Sequence, residues 1–145
     1  EALDLIKRYD ARAYLEFKSA PPAPVLEFVQ QAGLLDRVFF WSFNRDFLHE
    51  LRALSPDAQI MTRRQDYPSL EEAIADYDAN LVEFLPSADP KDIASLRGSG
   101  IPSMIAYMGA DEAVFAQMID MRPDRFNLNE PFAFSRFASK RLSHG

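Results

Sequence analysis

Val38-Phe39-Phe40-Trp41-Ser42-Phe43, the helix-patterned stretch after it and then Ala58-Gln59-Ile60-Met61-Thr62 decide the fold. The first run is almost continuously apolar, as in a strand buried on both faces of a parallel sheet. Asn44 suits a helix N-cap. Phe47, Leu48, Leu51 and Leu54 then form an apolar stripe at helical spacing. Pro56 and Asp57 turn the chain into the third, weaker run. Strand, helix and strand in this order make a crossover unit, which joins parallel strands.

The same unit recurs in both directions. Upstream, residues 1–9 read as a helix end and Ala13-Tyr14-Leu15-Glu16-Phe17-Lys18 as a strand ending in charge. Pro21, Pro22 and Pro24 mark a loop, and residues 24–32 carry a helical stripe stopped by Gly33. Downstream, Ser69 with Glu72 has the spacing of a capping box. Strands follow at residues 80–85, 102–107 and 125–128, with helices at 90–98 and 111–119 between them and a final helix or tail beyond Glu130-Pro131. The β-α repeat is about 20–25 residues, the repeat size of a (β/α) barrel, but a complete eight-unit barrel needs about 250 residues. Five or six units therefore predict part of a barrel, and length alone also admits a small doubly wound sheet.

Composition narrows the function. The 145 residues carry 16 basic and 22 acidic side chains, a net charge of −6. That argues against a nucleic-acid partner, which needs clustered positive charge, and against a polybasic membrane anchor. No apolar run reaches the ~20 residues of a spanning helix. The absence of Cys excludes disulfides, thiolate metal sites and Cys nucleophiles. Only two His occur, His49 in a helix and His144 next to the last residue, and a surface or tail role is the expectation for both. The Gly residues are scattered and form no phosphate loop. The first residue is Glu, so a segment upstream is expected.

In parallel α/β folds, function gathers at the carboxyl ends of the strands. Those ends hold Glu16 and Lys18, Ser42 to Asn44, Thr62 to Arg64, Glu83, Tyr107, and Asn127 to Glu130. Glu16 and Lys18 are two apart and share one strand face. Such a pair suits a hard cation at the carboxylate and a phosphoryl oxygen at the ammonium; a plain surface ion pair is the alternative. Thr62-Arg63-Arg64 reads as a solvated loop or, by charge, a phosphate contact. Trp41 and the Phe-rich strands read as core.

Taken in order, these strand ends resemble the C-terminal part of the glycerophosphodiester phosphodiesterase family, over about Leu3 to Phe137. Leu15-Glu16-Phe17-Lys18 resembles the family's Glu-x-Lys strand. Trp41-Ser42-Phe43-Asn44, with Leu48, Leu51-Arg52 and Ser55-Pro56, resembles its Ser-Phe segment and following helix. Gly100-Ile101-Pro102 through Tyr107 resembles the late Gly-x-x-Val strand, and Phe126-Asn127-Leu128-Asn129-Glu130-Pro131 the closing strand. Tyr107 and Met108 stand where the family usually has Trp and Thr, and Asn129 near its closing Asp. The resemblance implies a TIM-type barrel, of which residues 1–137 are the C-terminal five to six β-α units and 138–145 a tail.

It also implies a phosphoric diester hydrolase of lipid metabolism, acting on a small glycerophosphodiester to release an alcohol and glycerol 3-phosphate with a divalent cation, Mg²⁺ or Ca²⁺. By the same resemblance Glu16 is a metal ligand, Lys18 a catalytic contact to the substrate, and Phe43 and Tyr107 substrate-binding aromatics at the glycerol end. The family's His-Arg-Gly strand, Glu-x-Asp strand and second His belong to its first half and do not occur here. These residues alone are therefore expected to be inert. The alternative is a non-catalytic barrel fragment that serves as a binding or interaction module. A lone partial barrel with open edges is expected to associate, with itself or with another chain. The chain reads as soluble, with cytoplasm and periplasm both open.

Overall fold

A computed structural model describes residues 2–143. Strands and helices alternate along them. The chain divides into two compact units, Glu1–Thr62 with Glu71–Leu81, and Arg63–Leu70 with Val82–Gly145.

The first unit holds strands β1 (Ala13–Glu16), β2 (Val38–Trp41) and most of β3 (Gln59–Arg63). β2 pairs in parallel with both neighbours. Helices α1 (Ala2–Arg8), α2 (Pro22–Gln31), α3 (Arg45–Leu54) and α4 (Leu70–Ala75) alternate with them. All of β2 is buried, as its apolar run requires. Phe40 and Ile60 form the core with Val29, Leu34, Leu48 and Leu51. The Asn44 side chain accepts from Asp46 N at 3.0 Å and caps α3. Leu54, at the end of the α3 stripe, stays exposed.

Two boundaries differ from the sequence reading for physical reasons. Helix α2 begins at Pro22 and carries Pro22 and Pro24 in its first turn, where the missing N–H groups have no intrahelical partner to lose. Strand β1 ends at Glu16, although Phe17 N still donates to Trp41 O at 3.0 Å.

Arg52, on α3, ties this unit together. Its Nε donates to Tyr77 O at 2.8 Å, Nη1 to Pro56 O at 2.7 Å and Ala58 O at 2.8 Å, and Nη2 to Asp78 O at 3.0 Å and Asn80 Oδ1 at 2.8 Å. One guanidinium thus closes the turn into β3 and the turn that follows α4. Burial pushes its pKa below the ordinary guanidinium value, against the pull of Asp78 and Asp57.

The second unit holds most of β4 (Leu81–Phe84), then β5 (Ser103–Tyr107) and β6 (Arg125–Leu128), again parallel. Helices α5 (Pro90–Ser95), α6 (Glu112–Met121) and α7 (Pro131–Ser143) complete it. Asp89 and Asp111 cap α5 and α6 through their side chains. Phe84, Ile93, Ile105, Phe115 and Met118 are fully buried. Phe134 and Phe137 of α7 lie against Phe115, with ring centroids 5.2 and 6.0 Å away. Helix α7 runs without a break past residue 137. At the start of β5, Asp124 accepts from Ser103 N at 2.8 Å and from its hydroxyl at 2.9 Å.

Candidate functional site

In the first unit the relevant groups sit where β1 and β2 end. The pairing of Tyr14 with Phe39 and of Glu16 with Trp41 puts these four side chains on one sheet face. Lys18 Nζ lies 3.8 Å from Glu16 Oε1. The Lys18 side chain is 79% exposed and that of Glu16 31%, so the ammonium stands in solvent and the carboxylate is partly covered. An ion pair this exposed is weak, and an arriving anion can draw the ammonium away from it.

Aromatic rings run beside the pair. Tyr14 stacks on Trp41 at 6.5 Å, and Trp41 meets Phe43 edge-on at 4.3 Å. Trp41 is buried, as the sequence reading expected, whereas Phe43 is 71% exposed. An exposed phenyl ring supported by a buried indole offers an apolar surface to a small ligand. Ser42 is buried, and its hydroxyl accepts from Asn44 N at 3.1 Å, which holds the loop below Phe43.

A divalent cation does not fit these residues by themselves. Mg²⁺ and Ca²⁺ take six or more oxygen ligands. Glu16 offers one carboxylate, and among the described residues no group of three His, Asp or Glu side chains could hold a metal.

In the second unit, Tyr107 ends β5. Its ring meets Phe115 of α6 edge-on at 5.9 Å, and its hydroxyl accepts from Asp111 N at 3.4 Å. The ring lies over Gly109, where a Cβ atom would stand 2.4 Å from Tyr107 Oη. Gly109 is therefore more than a turn residue, because its bare backbone makes room for the tyrosine. The neighbouring position Ala106 pairs with Asn127, and Met104 pairs with both Glu83 and Arg125. Glu83, Ala106 and Asn127 thus share one sheet face, and Tyr107 belongs to the other, which packs on α6.

That shared face carries a cluster the sequence did not single out as a unit. Asn127 Nδ2 donates to Glu83 Oε2 at 3.2 Å, and Arg63 Nε lies 3.9 Å from Glu83 Oε1 and 3.8 Å from Asp66 Oδ2. Arg64 Nε donates to Asp92 Oδ2 at 2.6 Å and Nη1 to Tyr67 O at 2.9 Å. Arg63 and Arg64 are thus held in ion pairs rather than lying in a solvated loop. The available signal was Glu83, a carboxylate inside the otherwise apolar run Leu81-Val82-Glu83-Phe84-Leu85.

His49 lies half-exposed on α3, its Nε2 3.1 Å from Asp76 Oδ1 and its ring edge-on to Tyr77. His144 lies outside the described residues. Among the described residues no helix is long and apolar enough to cross a membrane.

No family model matches the sequence, and no curated protein matches it. Solved structures do. A glycerophosphodiester phosphodiesterase from Agrobacterium tumefaciens is 27% identical, with a TM-score of 0.84, over 95% of this chain and 60% of that one. One from Parabacteroides distasonis is 18% identical, with a TM-score of 0.79, over 97% of this chain and 63% of that one. A phosphodiesterase from Oleispira antarctica, solved with the product sn-glycerol-3-phosphate, is 19% identical, with a TM-score of 0.76, over 96% of this chain and 60% of that one. The chain thus has the fold of glycerophosphodiester phosphodiesterases nearly throughout its length. The α/β class and the partial TIM-type barrel expected from the sequence are borne out. The chain spans about 60% of the length of these structures.

Proposed function

We propose that this chain is the C-terminal part of a phosphoric diester hydrolase that cleaves small glycerophosphodiesters to an alcohol and glycerol 3-phosphate. The observation that carries the reading is the Glu16–Lys18 pair at the end of β1, on a chain whose fold matches glycerophosphodiester phosphodiesterases at a TM-score of 0.84. Residues 1–137 supply the barrel portion and 138–145 the tail. The catalytic His pair belongs to barrel strands outside these residues, so the 145 residues are inactive alone.

Lys18 binds a phosphoryl oxygen and stabilises the charge that develops on it. The weak pairing with Glu16 favours this role, since the ammonium gives up little when it turns to an anion. Phe43, whose ring is exposed, binds the glycerol end. Glu16 is one carboxylate of a divalent-cation site, Mg²⁺ or Ca²⁺, whose other ligands come from outside the chain. When bound, such an ion supplies Lewis-acid stabilisation to the phosphodiester.

The test is Glu16→Gln in the polypeptide that also carries the remaining barrel strands. Divalent-metal-dependent hydrolysis of glycerophosphodiesters is expected to disappear with little change in thermal midpoint. Unchanged turnover would remove Glu16 from the site. The non-catalytic alternative gains if the parent polypeptide, loaded with either cation, hydrolyses no glycerophosphodiester.

A further inference from the structure

The second unit holds a hollow of about 260 Å³ that is lined by none of Glu16, Lys18 and Phe43. Its walls follow the carboxyl ends of β3 and β4, the end at which parallel α/β folds bind ligands. Arg64 comes from the turn after β3, Leu85, Ser87, Ala88 and Asp89 from the loop after β4, and Asp92 from α5. Pockets for drug-sized ligands run to roughly 300–1,000 Å³, so the occupant here is smaller. Leu85 is 40% exposed and gives the hollow an apolar wall.

One ion pair is fixed in the lining. Arg64 Nε donates to Asp92 Oδ2 at 2.6 Å, and Nη1 donates to Tyr67 O at 2.9 Å. The two side chains are only 22% and 27% exposed. Arg64 Nη2 and Asp92 Oδ1 make no hydrogen bond among the described residues, so a donor and an acceptor are left over side by side. Ser87 adds a hydroxyl that can donate and accept.

Charge and hydrogen-bonding capacity select the class of ligand. Asp89 and Asp92 against Arg64 give the lining a charge of 1 − 2 = −1, which disfavours an anion. The nearby backbone donors are taken as well, Lys91 N by Asp89 Oδ1 at 2.9 Å and Asp92 N by Asp89 O at 3.1 Å. An ammonium is repelled by the guanidinium and has no acceptor to offer Nη2. A neutral hydroxyl serves both groups, since it accepts from Nη2 and donates to a carboxylate oxygen.

We propose that this hollow binds a neutral polyol the size of a single sugar ring. Two adjacent hydroxyls meet Arg64 and Asp92, a third meets Ser87, and the C–H face of the ring lies against Leu85 and Ala88. The inference stands apart from the hydrolase reading and holds whether or not the parent polypeptide cleaves glycerophosphodiesters.

The experiment is an amide NMR titration of the full polypeptide with methyl α-D-glucopyranoside, beside ethanolammonium chloride and inorganic phosphate. Saturable shifts around Arg64 and along the loop from Leu85 to Asp92 are expected with the glucoside. Asp92→Asn is expected to weaken glucoside binding about tenfold or more, the range of one charge-assisted hydrogen bond. Ser87→Ala changes an exposed residue, so it guards against a folding defect. It is expected to keep the parent's thermal midpoint and to weaken binding about two- to tenfold. Parent-like glucoside binding in both variants overturns the proposal. So do glucoside shifts that are absent or never saturate, and so does phosphate or ethanolammonium moving the same amides at lower concentration.

Discussion

Replacing Arg52 by Met tests how the first unit is held together. Arg52 donates to the carbonyls of Tyr77, Pro56, Ala58 and Asp78 and to Asn80 Oδ1, all within 3.0 Å. Methionine fills the same path with its stem and removes every donor. The acceptors on Pro56, Asp78 and Asn80 belong to exposed residues and can turn to water. Those on Tyr77 and Ala58 belong to buried residues, at 4% and 0% exposure. An orphaned buried acceptor costs about 1–3 kcal/mol, so two of them predict a loss of about 2–6 kcal/mol.

At about 2–4 °C per kcal/mol for a chain of this size, the thermal midpoint falls by roughly 10 °C. Urea unfolding followed by the fluorescence of Trp41, the single tryptophan, reads this unit directly. Arg52→Lys restores one point charge and is expected to fall between parent and Met. A loss below about 1 kcal/mol for Arg52→Met would mean that water replaces the guanidinium at all of its acceptors. The reading of Arg52 as the tie between the two turns would then be refuted.

Two further stability predictions concern single groups. The Ser103 backbone N–H, with lesser help from its hydroxyl, holds the Asp124 carboxyl below the usual carboxylate range, against a smaller desolvation effect. This interaction stabilises the fold above the ordinary carboxylate pKa and is lost as pH falls through the depressed folded value. Parent and Asp124→Asn urea midpoints are therefore expected to differ at neutral pH, by about 1 kcal/mol or less after solvent screening, and to converge in acid. A gap that persists unchanged at low pH would contradict this. Thr62 is 1% exposed and its hydroxyl has no hydrogen-bond partner. Thr62→Val is expected to raise stability by about 1 kcal/mol, and a loss of that size in urea melts would show that the hydroxyl is satisfied after all.

The order of elements was legible because each announces itself locally. Val38-Phe39-Phe40-Trp41 can be stable only with both faces covered, and it is buried throughout. Asn44 and Asp111 cap helices through side chains that reach only two residues along the chain. Glu16 and Lys18 are two residues apart, so their closeness is local even though β1 ends at Glu16 and Lys18 lies just beyond it. Such features depend on residues a few positions apart, so a sequence read in order contains them.

Contacts between distant positions were not legible in this way. Arg52 reaches Tyr77 and Asp78 by way of the turn after α4. Asn127 meets Glu83 across two strand pairings, and nothing in either local sequence names the other. Tyr107 lies on the face that packs on α6, and Gly109 makes room for it; the strand period alone allowed either face. The sequence by itself determined the alternation of strands and helices, their caps and the charged strand ends, because propensity, periodicity and capping are local. Only the tertiary structure decided which charges meet and which way each ring faces, because those depend on the register of strands brought together from far along the chain.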